Sequence, residues 1–103
     1  MVDMAKLRRE SIRWTILLTL NNGRPAKVHE KIVLSVLRSE FPDATQNEAR
    51  REMEYLDGRA LIKIMKAPDG VWSAKLSRDG VDVVEYTVDV EPGIARPEKY
   101  FDA

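Results

Sequence analysis

The chain has 103 residues, with 17 Lys and Arg balanced by 17 Asp and Glu, and no cysteine. That length holds one domain around one core, the missing cysteine excludes disulfides and thiolate metal sites, and no apolar run approaches the roughly 20 residues that cross a bilayer. Asp3 and the charges at residues 6–10 stand where a secretory signal would carry its apolar stretch, so a cytoplasmic protein with no membrane partner is expected.

In chain order, residues 6–22 place Ile12, Ile16 and Leu20 four apart, with Leu17 thickening the stripe. This is the pattern of an amphipathic helix. Asn21, Asn22 and Gly23 form a stop signal of residues that tolerate left-handed backbone, and Pro25 prevents the helix from resuming. A second helix is expected over residues 28–40, with Ile32, Val33, Val36 and Leu37 inward. It ends at Phe41-Pro42, because proline disfavours helical geometry in the residue before it. Thr45 with Glu48 three residues on fits a capping box. The third helix then runs to about Asp57 with Gly58 closing it, and Ala49, Met53 and Leu56 form its inner face.

Residues 61–66 and 71–76 are strand-like and are separated by Ala67-Pro68-Asp69-Gly70. In such a turn Pro fixes φ, Asp bonds the backbone and Gly takes positive φ. Trp72, Ala74 and Leu76 share one face of the second strand. Residues 77–86 read either as a short helix capped by Ser77, with Val81 and Val84 inward, or as a valine-rich strand; helix is the reading adopted. Pro92-Gly93 and Pro97 predict an irregular tail packed by Ile94, Tyr100 and Phe101. Residues 1–90 are thus expected to form the domain, and residues 91–103 the tail.

Three helices, a hairpin and a short fourth helix make an α+β winged helix-turn-helix. The order of elements and the Leu76-Ser77-x-x-Gly80 step resemble winged-helix regulators of the ArsR and MarR type. More closely, SIRWTILLTL (11–20), EARREMEYL (48–56), DGVDVVEYTVD (79–89) and PGIARPEKY (92–100) resemble a family of small winged-helix proteins of Mu-like phages and prophages. That resemblance implies a bacterial host cell and a neighbourhood of DNA-packaging and head-assembly genes. The cysteines of metal-sensing ArsR proteins are absent, so metal sensing is not implied.

A helix-turn-helix reads DNA with the N-terminal part of its second helix. Arg pairs bidentately with guanine, and Asn or Gln with adenine. Gln46, Asn47, Arg50 and Arg51 are those residue types at that place. The competing account is a solvated face on which Arg50 pairs with Glu54, with Glu48, Glu52 and Glu54 repelling phosphate. Charge is uneven along the chain: residues 61–78 carry four basic side chains and one acidic, and residues 79–103 carry two and seven. Lys63, Lys66, Lys75 and Arg78 would meet flanking phosphates, implying a salt slope of about −3.6 at about −0.9 per neutralised phosphate. The plainer account is lysine guarding an edge strand against aggregation.

Trp14 lies off the main stripe, which points to a subunit contact or to the tail. His29 reads as a surface residue. The acidic tail is either a solvated segment or a partner-binding shield over the basic face. Neither cofactor nor metal is expected, and with no thiol nucleophile, phosphate-cradling glycine loop or spaced metal-ligand set nothing points to an enzyme. The expected partner is double-stranded DNA, bound by a homodimer whose two-fold axis matches paired half-sites. The alternative is an adaptor that binds a phage packaging or assembly protein.

Overall fold

The first helix, α1 (Met4–Asn22), starts two residues earlier than its apolar periodicity implies, because Asp3 caps it by accepting from the Lys6 backbone N–H at 3.1 Å. A computed structural model provides this geometry and describes residues 2–99. The expected packing of Tyr100 and Phe101 lies outside the described residues. Ile12, Ile16, Leu17 and Leu20 are fully buried. Gly23 ends α1 with φ −85°, not in the left-handed region. Its smallness answers a packing need instead, since a Cβ there would collide with Val28 Cγ2.

The second helix differs from expectation at its start. Val28–His29 form a short strand, β1, and α2 spans Glu30–Glu40. His29 Nδ1 caps α2 by accepting from the Lys31 N–H at 3.0 Å. The inward side chains are Glu30, Val33 and Leu37, while Ile32 is 55% exposed and Val36 half-buried. With 30, 33 and 37 facing the core, helical geometry carries 32 and 36 to the side. There they line an open groove with Thr15, Leu18 and Thr19 of α1.

Helix α3 (Gln46–Gly58) begins at Thr45, whose Oγ1 accepts from the Glu48 N–H at 3.1 Å. The reciprocal half of the capping box does not form, because Arg8 holds the Glu48 carboxylate. Strands β2 (Ile62–Lys66) and β3 (Trp72–Leu76) pair antiparallel, with Lys63 opposite Lys75 and Lys66 opposite Trp72. β1 adds to the other edge of β3 through Val28–Ala74 and His29–Ser73, giving the order β1-β3-β2. The turn is built as its residues imply. Gly70 takes φ +86°, its N–H donates to Ala67 O, and Asp69 accepts from the Val71 N–H.

Ser77 caps α4 (Arg78–Val84) by accepting from the Gly80 N–H, so this segment is helix and not strand. Gly80 lies so close to the Leu61 carbonyl that a Cβ would collide with its oxygen. Val83 and Val84 are buried and Val81 half-buried. Residues 85–99 hold no helix or strand and pass along α1. The Ala95 N–H donates to Glu10 O, Arg13 donates to Gly93 O, and Trp14 meets the Tyr86 ring edge-on at 6.2 Å. Among the described residues, four helices and a three-stranded sheet around one core make a winged helix-turn-helix.

Candidate nucleic-acid interface

α3 presents four distinct faces, set by its 100° step per residue. Ala49, Met53 and Leu56 enter the core. Gln46 and Arg50 fall on the flank toward α2 and the hairpin, and Glu48 and Glu52 on the flank toward α1. Asn47, Arg51 and Glu54 point away from the core and are exposed.

The hairpin flank is organised by Glu30, whose side chain is 5% exposed. Arg50 binds it bidentately, Nε to Oε1 and Nη2 to Oε2, both at 2.7 Å. Gln46 Nε2 donates to Oε1 at 2.9 Å, and the backbone N–H of Trp72 donates to Oε2. Arg50 Nη2 also donates to Gly70 O at 2.8 Å, and its guanidinium lies 4.5 Å from the centre of the Trp72 ring. One carboxylate therefore joins α2, α3 and the start of β3. The Arg50 bonds, with the Trp72 and Gln46 donors, hold Glu30 down at about 2 against the opposing pull of burial, and Arg50 is raised in turn by the same bonds.

On the α1 flank, Arg8 and Arg13 form further ion pairs. Arg8 binds Glu48 through Nε at 2.7 Å and Nη2 at 2.9 Å, and reaches Asp43 at 3.0 Å. Both carboxylates are lowered and the arginine raised, chiefly by these bonds. Arg13 Nε donates to Glu52 Oε1 at 2.8 Å, with its guanidinium 3.5 Å from the centre of the Tyr55 ring. Glu52 is 1% exposed, yet its Oε2 has no hydrogen bond; Arg51 Nε stands 3.5 Å from it.

Four residues of α3 were expected to present a DNA-reading surface, and they separate into two pairs. Arg50 does not project outward and does not pair with Glu54; its guanidinium closes the α3–hairpin joint on Glu30. Gln46 is drawn to the same carboxylate. Arg51, whose side chain is 68% exposed, and Asn47 remain on the outer ridge. The expected repulsion by three acids reduces to one, because Glu48 and Glu52 turn to α1.

The hairpin cations separate as well. Lys66 shares the core-side face of the hairpin with Trp72, and its Nζ lies 4.4 Å from the centre of that ring. Lys63 and Lys75 oppose one another on the outer face, because the pleat sends alternate residues to opposite sides. Arg78 is exposed in the first turn of α4. Sequence reading missed Glu30 altogether. Its signal was present: residues 30, 33 and 37 share one helical face, and a carboxylate there needs a cation.

No family model matches the chain, and no curated protein matches it. Among solved structures it is similar to BpsR of Bordetella bronchiseptica, described in a study of how 6-hydroxynicotinic acid regulates that protein's DNA binding. The TM-score is 0.62 at 19% identity, over 84% of this chain and 60% of the other. The likeness is one of fold, and this chain spans about three-fifths of that protein's length.

Proposed function

We propose that the protein is a DNA-binding regulator that lays the outer ridge of α3 in the major groove. The observation that carries this reading is the division of labour on α3. Both flanks are fixed by buried ion pairs, while Asn47 and Arg51, types suited to adenine and guanine edges, are left outward beside a hairpin bearing Lys66. Arg50 then acts as a brace that sets the hairpin against α3. Lys66 is the hairpin cation nearest that joint and meets a flanking phosphate. Lys63, Lys75 and Arg78 lie elsewhere on the hairpin and α4, and contribute by their field alone. The fold shared with BpsR supports a regulator, and the resemblance to Mu-like phage proteins supports a phage or prophage setting. A homodimer places two α3 ridges on successive half-sites.

A gel-shift titration at low salt tests the reading. Retarded duplex is expected, with Arg51→Ala weakening binding about tenfold, the order of one lost bidentate base contact. Salt dependence should be shallower than four phosphate contacts imply, because Lys63 and Lys75 face away. Free duplex at every protein concentration would overturn it.

A second reading draws on a different feature. Leu18 and Ile32 are exposed beside the α1–α2 groove, which Arg50 does not line. An adaptor for a phage packaging or assembly protein would use that apolar surface, and Leu18→Glu would then abolish capture of the partner without altering duplex mobility.

A further inference from the structure

The outer ridge of α3 holds a charge that the DNA reading alone leaves unexplained. Glu54 is exposed, and its side chain has no hydrogen-bond or ion-pair partner among the described residues. Its natural helical partner, Arg50 at i−4, is taken by Glu30. Of the other acids of the helix, Glu48 and Glu52 are neutralised by Arg8 and Arg13, and Asp57 accepts from the Ile64 N–H. Glu54 sits three residues beyond Arg51 and seven beyond Asn47, on the same ridge.

A bare carboxylate facing a duplex is repelled by phosphate and lowers affinity for every sequence, unless it accepts a hydrogen bond from a base. In the major groove only the exocyclic amines of cytosine and adenine donate. Adenine N6 has an acceptor on each side, its own N7 and the paired thymine O4, which disfavours an anion, whereas cytosine N4 has one on a single side, the paired guanine O6. Along the helix axis Asn47 and Arg51 are about 6 Å apart, and Arg51 and Glu54 about 4.5 Å, at about 1.5 Å per residue. Base pairs stack about 3.4 Å apart, so adjacent ridge residues meet bases one or two steps from each other.

Resting on the DNA-binding reading above, we infer that Glu54 is a specificity residue that selects cytosine one or two base steps from the guanine read by Arg51. Its charge also suppresses binding to duplexes lacking that cytosine. The ridge Asn47–Arg51–Glu54 reads adenine, guanine and cytosine in turn, with Arg50 excluded from readout by Glu30.

The test is selection of bound duplexes from a random pool by the wild-type chain, Glu54→Ala and Glu54→Gln. Affinities are then measured on the selected duplex and on a scrambled one. The wild type is expected to enrich a motif with an invariant cytosine. Glu54→Ala should lose preference at that position alone, with about a tenfold fall in discrimination and tighter binding to the scrambled duplex. Glu54→Gln should shift the position toward adenine. A wild-type motif recovered unchanged by Glu54→Ala overturns the inference and leaves DNA reading intact. Binding without any enriched motif also overturns it, and leaves a sequence-independent binder. No duplex bound at all removes both readings. Glu54 is exposed and has no partner among the described residues, so unchanged thermal unfolding of both variants is expected and separates these outcomes from misfolding.

Discussion

Two buried glutamates flank the same helix and are treated in opposite ways. Glu30 receives four hydrogen bonds, two from Arg50, one from Gln46 and one from the Trp72 N–H, which uses its carboxylate to the full. Glu52 receives one, from Arg13, and keeps an oxygen without a hydrogen bond. The first joins the hairpin to α3, where a change of angle would misplace both elements on a ligand. The second joins α3 to α1 and the tail, where Arg13 is also held by Tyr55 and Gly93. A saturated buried carboxylate fixes orientation, because every displacement breaks a bond. A half-satisfied one tolerates adjustment, because one oxygen has no hydrogen bond to lose.

The sharpest way to break this comparison is to remove each carboxylate in turn. Glu30→Ala leaves the Trp72 N–H unpaired and Arg50 without its counter-charge, and should cost about 3 kcal/mol in urea unfolding. It should also raise hydrogen exchange in the hairpin. An equal cost for Glu52→Ala would erase the distinction.

The pH dependence should report the same joint. Glu30 ordinarily titrates near 4.5 and in the fold near 2, so its contribution is complete above about pH 4.5 and is lost as pH falls toward 2. At about 1.4 kcal/mol per pH unit the whole effect is on the order of 3 kcal/mol. Stability measured from pH 5 to pH 2 should fall steeply in the wild type and less steeply in Glu30→Gln. Parallel curves for the two proteins would place the acid sensitivity elsewhere.

The elements that sequence reading recovered were those written in local chemistry. Thr45 and Ser77 mark helix starts, Pro68-Asp69-Gly70 marks the turn, and the Ile12, Ile16, Leu20 spacing marks the stripe of α1. What escaped was decided by long-range pairing. β1 is two residues long, too short to show alternation, and exists because β3 offers it an edge. Its presence moved the start of α2 to Glu30, and with 30, 33 and 37 buried Ile32 is left outward. On α3 local sequence showed the residue types and the inner face of Ala49, Met53 and Leu56. It did not reveal that Arg50 meets a carboxylate 20 residues away. Nor did it reveal that Arg8 and Arg13 take up Glu48 and Glu52.

A milder substitution sharpens the α1 side. Glu52→Gln retains an acceptor for Arg13 and replaces an oxygen that had no hydrogen bond, so the charge and its longer ion pair with the exposed Arg51 are lost. The expected cost is about 1 kcal/mol, against a much larger one for Glu30→Gln, which also sets an amide donor facing Arg50 or the Trp72 N–H. Paired urea unfolding curves at neutral pH measure the difference. Equal costs would mean that the unbonded oxygen of Glu52 carries as much interaction as the saturated pair of Glu30.

The smallest effect concerns the end of the ridge, which touches neither flank. Gly58 is the last residue of α3, with open space where a Cβ would stand and no positive φ. The left-handed position falls instead on Ala60, at φ 61°. The glycine thus contributes entropy to the unfolded chain without using its freedom in the fold. Gly58→Ala should stabilise by about 0.5–1 kcal/mol. Because it shares no partner with either glutamate, that gain should add to Glu30→Gln and Glu52→Gln alike. Non-additivity with one of them alone would show that this carboxylate's network extends along α3 to its C-terminus. Duplex affinity should stay unchanged, since the proposed base contacts end at Glu54, about one turn before Gly58. A loss of affinity alongside the gain in stability would extend the contact surface beyond Glu54 to the end of the ridge.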